Sequence, residues 1–210
     1  MIRVHIADDH AIVRRGLVDI INEAIDLSVS GEAADGNALI ELLRDTSCDV
    51  VVLDLSMPGV SGLDLIKHLK GTYPKLPLLV LSAHPEDQYA VRVLRAGASG
   101  YLTKESALAE LVRAIRRVAS GGRYVTPALA ETLLAHLDSE PGQALHEGLS
   151  DREYQVLCRI ASGKQVSEIA EELTLSVKTI STYRSRMLQK MGMKSNAELT
   201  RYAIKNGLVD

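Results

Sequence analysis

The run DVVVLD, residues 49–54, sets four consecutive apolar residues, Val50 to Leu53, against a closing carboxylate, Asp54. An apolar run without polar alternation reads as a strand buried on both faces of a sheet. Outward from it, similar short β-branched runs stand at Ile2–Ala7, Leu27–Glu32, Pro77–Leu81 and Ser99–Leu102, with Asp49–Leu53 as the third of five. Helix-period stretches alternate with them: Ala11–Ala24, Gly36–Asp45, Gly62–Lys70, Glu86–Arg95 and Ser106–Gly121. In the last of these, Leu108, Leu111, Val112, Ile115 and Val118 fall three and four apart, which is one face of a helix. Strands alternating with helices predict a parallel, doubly wound sheet with right-handed crossovers and helices on both faces. Ligands of such sheets bind beyond the carboxyl ends of the strands.

Those ends share a chemistry. The first predicted strand runs into Asp8-Asp9, the third into Asp54, the fourth into Ser82, and the fifth leads to Lys104. Three carboxylates brought together repel one another unless a cation neutralises them. Hard oxygen donors with open positions suit Mg²⁺, which keeps waters and takes carboxylates plus phosphate. A carboxylate beside such an ion can act as a nucleophile and become an aspartyl phosphate. Lys104 would offset charge on the transferred group, and the Ser82 hydroxyl could donate to its oxygens. His10 is read as a helix N-terminal residue and His84 as a loop residue, both structural.

Composition narrows the class. The 210 residues are 46% hydrophobic and 24% charged, enough apolar content to bury a core and too much for a disordered chain. Two cysteines, Cys48 and Cys158, are too few for a disulfide scaffold and read as buried small hydrophobes of a reducing compartment. The opening MIRVHIADDH reaches two aspartates before a signal-peptide core could form, and no apolar run is long enough to span a membrane. A cytoplasmic protein is expected.

The net charge of −3 hides an asymmetry. Residues 1–148 hold 14 Lys and Arg against 20 Asp and Glu, whereas residues 149–210 hold 10 against 7. An acidic front and a basic tail read as separate modules, the tail facing a polyanion. Three segments are expected: 1–121, a helix and linker over 122–148, and 149–210. Within the middle one, Pro127–Leu137 is amphipathic, and Asp138–Gly148 (DSEPGQALHEG) has the Pro, Gly and charge of a linker. The tail reads as four short helices. Ser150 with Glu153 forms a capping box opening a helix to about Ala161. Val166–Leu173 follows, then a helix capped by Ser176 that stops at Gly192, then one from Ser195 to about Asn206.

The second and third tail helices make a helix, tight turn, helix pair. Ile169, Ala170 and Leu173 share one face of the former; Val177, Ile180, Leu188 and Met191 share one face of the latter. The opposite face of the third helix carries Lys178, Ser181, Thr182, Ser185 and Gln189, with Arg184 and Arg186 on its flanks. Small hydroxyls and basic groups near a helix N-terminus suit a recognition helix in a DNA major groove. Lysine and arginine would hold phosphates, while Ser181, Thr182 and Ser185 approach base edges. Lys178, Thr179, Ser181, Thr182, Arg184, Ser185 and Arg186 are the candidate DNA-binding residues.

Taken together, ADDH at 7–10, DLSMPGVSG at 54–62, LSAH at 81–84 and GASGYLTK at 97–104 resemble the receiver domain of response regulators. The tail from Leu149 to Gly192 resembles the four-helix LuxR-type DNA-binding domain, and the pair is the NarL/FixJ architecture over nearly the whole chain. The resemblance implies a flavodoxin-like receiver joined to an all-α helix-turn-helix domain. It implies Asp54 as phosphoacceptor for a sensor histidine kinase, with Asp9, Asp54 and the Ser56 carbonyl binding Mg²⁺ directly and Asp8 through water. Ser82 and Lys104 would contact the phosphoryl group, and Tyr101 holds the aromatic switch position. It further implies a phosphorylation-released domain that forms a homodimer on promoter DNA, with the last helix as a dimer contact. Receivers commonly carry Pro after the lysine; this chain has Glu105, so the loop after Lys104 is the point of departure.

Two other functions fare worse. Aspartyl-nucleophile phosphatases use a second Asp two residues on, and that position is Ser56, so an enzyme is not expected. Quorum-type ligand sensors line a pocket with aromatics, and this chain has no Trp, no Phe and 3% aromatics.

Overall fold

The computed structural model of the chain describes residues 1–57, 62–82, 86–131, 145–173 and 175–209. Its centre is β3 (Val50–Asp54), buried at every position. β1 (Ile2–Ala7), β2 (Leu27–Ala33), β4 (Leu78–Ser82) and β5 (Gly100–Thr103) join it in one parallel sheet of order β2-β1-β3-β4-β5. Every strand is parallel to its neighbours, so each connection must cross over a face. α1 (Ala11–Asn22), α2 (Gly36–Asp45), α3 (Gly62–Thr72) and α4 (Glu86–Arg95) supply those crossovers, and α5 (Lys104–Ala119) follows β5 and packs back on the sheet.

Alternation along the strands builds two cores. Val4, Ile6, Val50, Val52, Leu79, Leu81 and Leu102 pack with Leu17 and Ile21 of α1 and Leu111, Ile115 and Val118 of α5. The intervening Val51, Leu53, Leu78, Val80 and Tyr101 are equally buried. Each such side chain withdrawn from water stabilises the fold by about 1.5–3 kcal/mol before its lost freedom is counted. Strand order reverses between β1 and β3, and the crevice at their carboxyl ends is where this topology leaves room for a ligand.

Two details depart from the sequence reading. α5 starts at Lys104, not Ser106, so no loop separates it from β5. Thr103 is its N-cap, accepting from the Ser106 backbone N–H at 3.2 Å, and Glu105 places an acid in the first turn, where the helix dipole favours it. Glutamate after the lysine therefore suits a helix entered directly from the strand. After α5 the chain returns to the sheet: Tyr124 bridges Gly100 in parallel, its N–H donating to Ser99 O at 2.9 Å. Residues 127–131 are helical; the rest of the expected Pro127–Leu137 helix lies outside the described residues.

The chain divides into two compact units, Met1–Leu133 and Leu134–Asp210. Residues 138–144 of the expected linker lie outside the described residues, but its end is no linker. Leu145–Gly148 forms a 3-10 helix, and the His146 ring nitrogen Nδ1 meets the Tyr202 hydroxyl at 2.9 Å. Then follow α6 (Asp151–Ala161), α7 (Val166–Glu172), α8 (Val177–Met191) and α9 (Asn196–Lys205). Their core holds Tyr154, Leu157, Ile169, Ile180, Met187, Leu199 and Ala203. Ser150 and Glu153 make the full capping box, Ser176 and Ser195 cap α8 and α9, and left-handed Gly192 ends α8 at φ 66°.

Two core assignments need correction. Val177 is 52% exposed, and Met187 is buried in its place. Val177 opens α8 at the rim of its apolar stripe, whereas Met187 sits two turns after Ile180 and one before Met191, in the stripe's middle. Cys158 is buried as expected, but Cys48 is only half-buried, and burial pushes its thiol up to about 11.

Candidate acidic site and nucleic-acid interface

The residues that end the strands converge. Asp54 closes β3 fully buried, and Asp8 follows β1 at 1% exposure. The Lys104 Nζ, delivered by the first residue of α5, lies 2.8 Å from Asp54 Oδ2 and 2.8 Å from Asp8 Oδ2. The other Asp54 oxygen accepts from the Ser56 backbone N–H at 3.1 Å, a local turn that aims the carboxylate. Asp8 Oδ1 accepts from the His10 backbone N–H at 2.8 Å, and Arg14 donates to the Asp8 carbonyl at 2.6 Å. Asp9 stands at the rim, with His10 Nδ1 2.9 Å from its Oδ1.

Electrostatics follow from this packing. Burial raises the Asp54 carboxyl above its ordinary value; Lys104 opposes the shift and the Asp8 charge adds to it. Burial alone would lower Lys104, but the Asp54 and Asp8 carboxylates outweigh it and hold the ammonium above its ordinary value. The site still carries more negative than positive charge. Asp8 Oδ2 has the Lys104 ammonium at 2.8 Å, yet three carboxylates around one ammonium leave negative charge that a cation would offset. Oxygen atoms of Asp8, Asp9 and Asp54 and a ring nitrogen of His10 lie within 4.8 Å of one another. The donors fit a divalent metal.

Ser82 ends β4 fully buried, in register with Thr103, and Tyr101 lies fully buried on β5 in register with Val80. His84 and residues 58–61 of the DLSMPGVSG motif lie outside the described residues. Sequence reasoning had set His10 aside, and it had no signal for Arg14, whose role depends on a backbone carbonyl. A histidine directly after two strand-end acids was the available signal for the former.

In the C-terminal unit, α8 presents Lys178, Ser181, Thr182, Ser185 and Arg186 as exposed residues, with Thr179 and Arg184 half-buried. Thr182 donates to Lys178 O and Ser185 to Ser181 O, each at 2.9 Å. Both hydroxyls thus keep lone pairs facing outward. Ser176, Lys178, Thr179, Thr182, Tyr183 and Arg186 line a shallow cleft beside this face. Arg184 stands apart: its Nε donates to Asn196 Oδ1 at 2.6 Å and ties α8 to the start of α9. Thr179 is partly occupied as well, its hydroxyl 2.8 Å from the Ser176 cap.

A parallel sheet with a lysine-bridged acidic crevice, followed by a helix-turn-helix unit, defines a receiver coupled to a DNA-binding module. Residues 4–116 match the response regulator receiver domain, and residues 147–203 match the bacterial regulatory proteins of the luxR family. The chain is 38% identical over 209 residues to the response regulator UvrY of Escherichia coli K12, covering 99% of this chain and 96% of that one. It is similar to RcsB from Salmonella enterica serovar Typhimurium bound to promoter P1flhDC with the phosphomimetic BeF3⁻, at TM-score 0.68 and 31% identity over 96% of this chain and 97% of that one. A structure of two RcsB dimers bound to two parallel DNAs matches at TM-score 0.61 and 31% identity, over 96% of each chain. The chain belongs to the two-component response regulators that join a receiver domain to a LuxR-type helix-turn-helix. Among the described residues no helix is long and apolar enough to cross a membrane.

Proposed function

We propose that Asp54 is the phosphoacceptor of a phosphorylation-controlled transcriptional regulator. The observation that carries this reading is the Lys104 ammonium 2.8 Å from both a buried Asp54 and a buried Asp8. An Asp54 oxygen attacks the phosphorus of a kinase phosphohistidine, the P–N bond breaks, and an acyl phosphate remains on Asp54. Asp9, Asp54 and the Ser56 carbonyl, with Asp8 through water, would hold Mg²⁺, which when bound would offset charge on the phosphoryl oxygens. Lys104 and the Ser82 hydroxyl then take those oxygens, and Tyr101 follows Ser82. Because the new group changes which contacts Lys104 and Ser82 make, it favours one of two receiver conformations by a few kcal/mol, enough to invert their populations.

The receiver module is assigned to 1–121 and the DNA-binding module to 149–210, joined by 122–148. The latter binds promoter DNA as a homodimer in the cytoplasm. α9, with Ile204 55% exposed, is the dimer contact. On α8, Lys178 and Arg186 hold phosphates while Ser181, Thr182 and Ser185 meet base edges; Thr179 and Arg184 support the helix from its flanks and reach the backbone.

Selection of bound duplexes from a random-sequence library, with beryllofluoride present, tests the interface. Arg186→Ala and Lys178→Ala should each weaken binding to all recovered sequences and flatten the salt slope by about one unit. Ser181→Ala and Thr182→Ala should change which sequences are recovered. An unaltered salt slope, or a uniform loss from the hydroxyl variants, contradicts the assignment.

A further inference from the structure

We propose that His10 contributes an imidazole nitrogen to the cation site, so that the site takes first-row transition divalents such as Mn²⁺ in preference to Mg²⁺. This rests on the reading of Asp8, Asp9 and Asp54 as a cation site and adds a donor of a different kind.

Two observations meet at this residue. First, His10 Nδ1 lies 2.9 Å from Asp9 Oδ1 and 3.4 Å from Asp8 Oδ1, and donor atoms of all four residues sit within 4.8 Å of one another. Donors at about 2.0–2.2 Å from a shared ion stand up to roughly 4.4 Å apart, so small side-chain shifts close the set. Second, His10 is the N-cap of α1, yet its side chain makes no capping hydrogen bond. Its backbone N–H goes to Asp8 Oδ1 instead, which turns the ring back over the acids. The helix start does not use the imidazole.

The consequence concerns which ion binds. Three carboxylates against one lysine leave two negative charges, the complement of a divalent cation. With oxygen donors alone, Mg²⁺ is well served. An imidazole nitrogen adds little for Mg²⁺, which prefers oxygen and water, but strengthens binding of Mn²⁺ and the later first-row ions.

The test compares untagged full-length protein with a His10→Asn variant, since Asn is a good N-cap and keeps the helix start. Calorimetric titrations with Mg²⁺ and with Mn²⁺ give the ratio of the two affinities. That ratio should fall about tenfold in the variant, through loss of Mn²⁺ affinity with Mg²⁺ affinity nearly unchanged. Electron spin-echo spectra of bound Mn²⁺ should show imidazole ¹⁴N modulation in the wild type and none in the variant. Mn²⁺ bound without that modulation, or an unchanged ratio, overturns the role of His10 while leaving the carboxylate site standing. Failure of the wild type to bind either ion overturns the cation site itself.

Discussion

At the scale of single residues, buried polar groups define both the chemistry and the sensitivities of the receiver. His5 is the clearest case outside the acidic site. It is fully buried on β1, with Nε2 3.1 Å from Thr46 Oγ1 and Nδ1 3.0 Å from Ser30 Oγ. Thr46 donates its own proton to Leu42 O, so its oxygen accepts from His5 Nε2–H, while Ser30 Oγ lies within reach of both Nδ1 and Val4 O. Burial lowers the His5 pKa from its ordinary 6.5. As pH falls through 6.5 the unfolded chain takes up a proton that the folded chain resists, so stability present above that pH is lost below it. Urea midpoints measured at pH 7.5 and pH 5.5 should show this loss in the wild type. A His5→Asn variant should show a shallower pH dependence, and an equal slope in both would remove His5 as the cause.

The residues also show why part of the site was legible. Asp8, Asp9, Asp54 and Lys104 could be found because strand ends in a parallel sheet share one edge, so chain position alone brings them together. His10 could not be separated in the same way from an ordinary helix-start residue. Its position depends on its backbone N–H choosing Asp8 Oδ1, a choice no periodicity records.

Among the elements, boundaries marked by side-chain caps were legible and those set by tertiary contact were not. Ser150 with Glu153, Ser176 and Ser195 announce α6, α8 and α9 because each cap is a local hydrogen bond. The 3-10 turn at Leu145–Gly148 is held partly by Tyr202, 56 residues beyond His146, and so read as linker. The return of Tyr124 to the sheet edge is another tertiary feature. Its hydroxyl donates to Glu110 Oε2 at 2.5 Å and accepts from Arg113 at 2.6 Å, pinning the chain after α5 to that helix and to β5. Gly100 makes the close approach possible: a Cβ there would stand 2.9 Å from Tyr124 O and 3.0 Å from Leu79 Cδ1. Gly100→Ala should therefore destabilise the receiver by about 1–3 kcal/mol, measurable as a lowered denaturation midpoint. A neutral substitution would mean that the 124 segment is not held against β5.

For the whole molecule, the charge asymmetry becomes a division of labour. The acidic front folds into the sheet whose crevice collects Asp8, Asp9 and Asp54, and the basic tail folds into helices that expose Lys178 and Arg186. Family membership joins the two as a response regulator, and the control of one by the other is proposed to start at a single carboxylate, Asp54. Intact mass after incubation with Mg²⁺ and acetyl phosphate tests that most directly, because a small donor asks only for the chemistry of the chain's own residues. The account predicts one Mg²⁺-dependent phosphoryl adduct on the wild type and none on Asp54→Asn. No adduct on the wild type, or one that persists in the Asn variant, would contradict it.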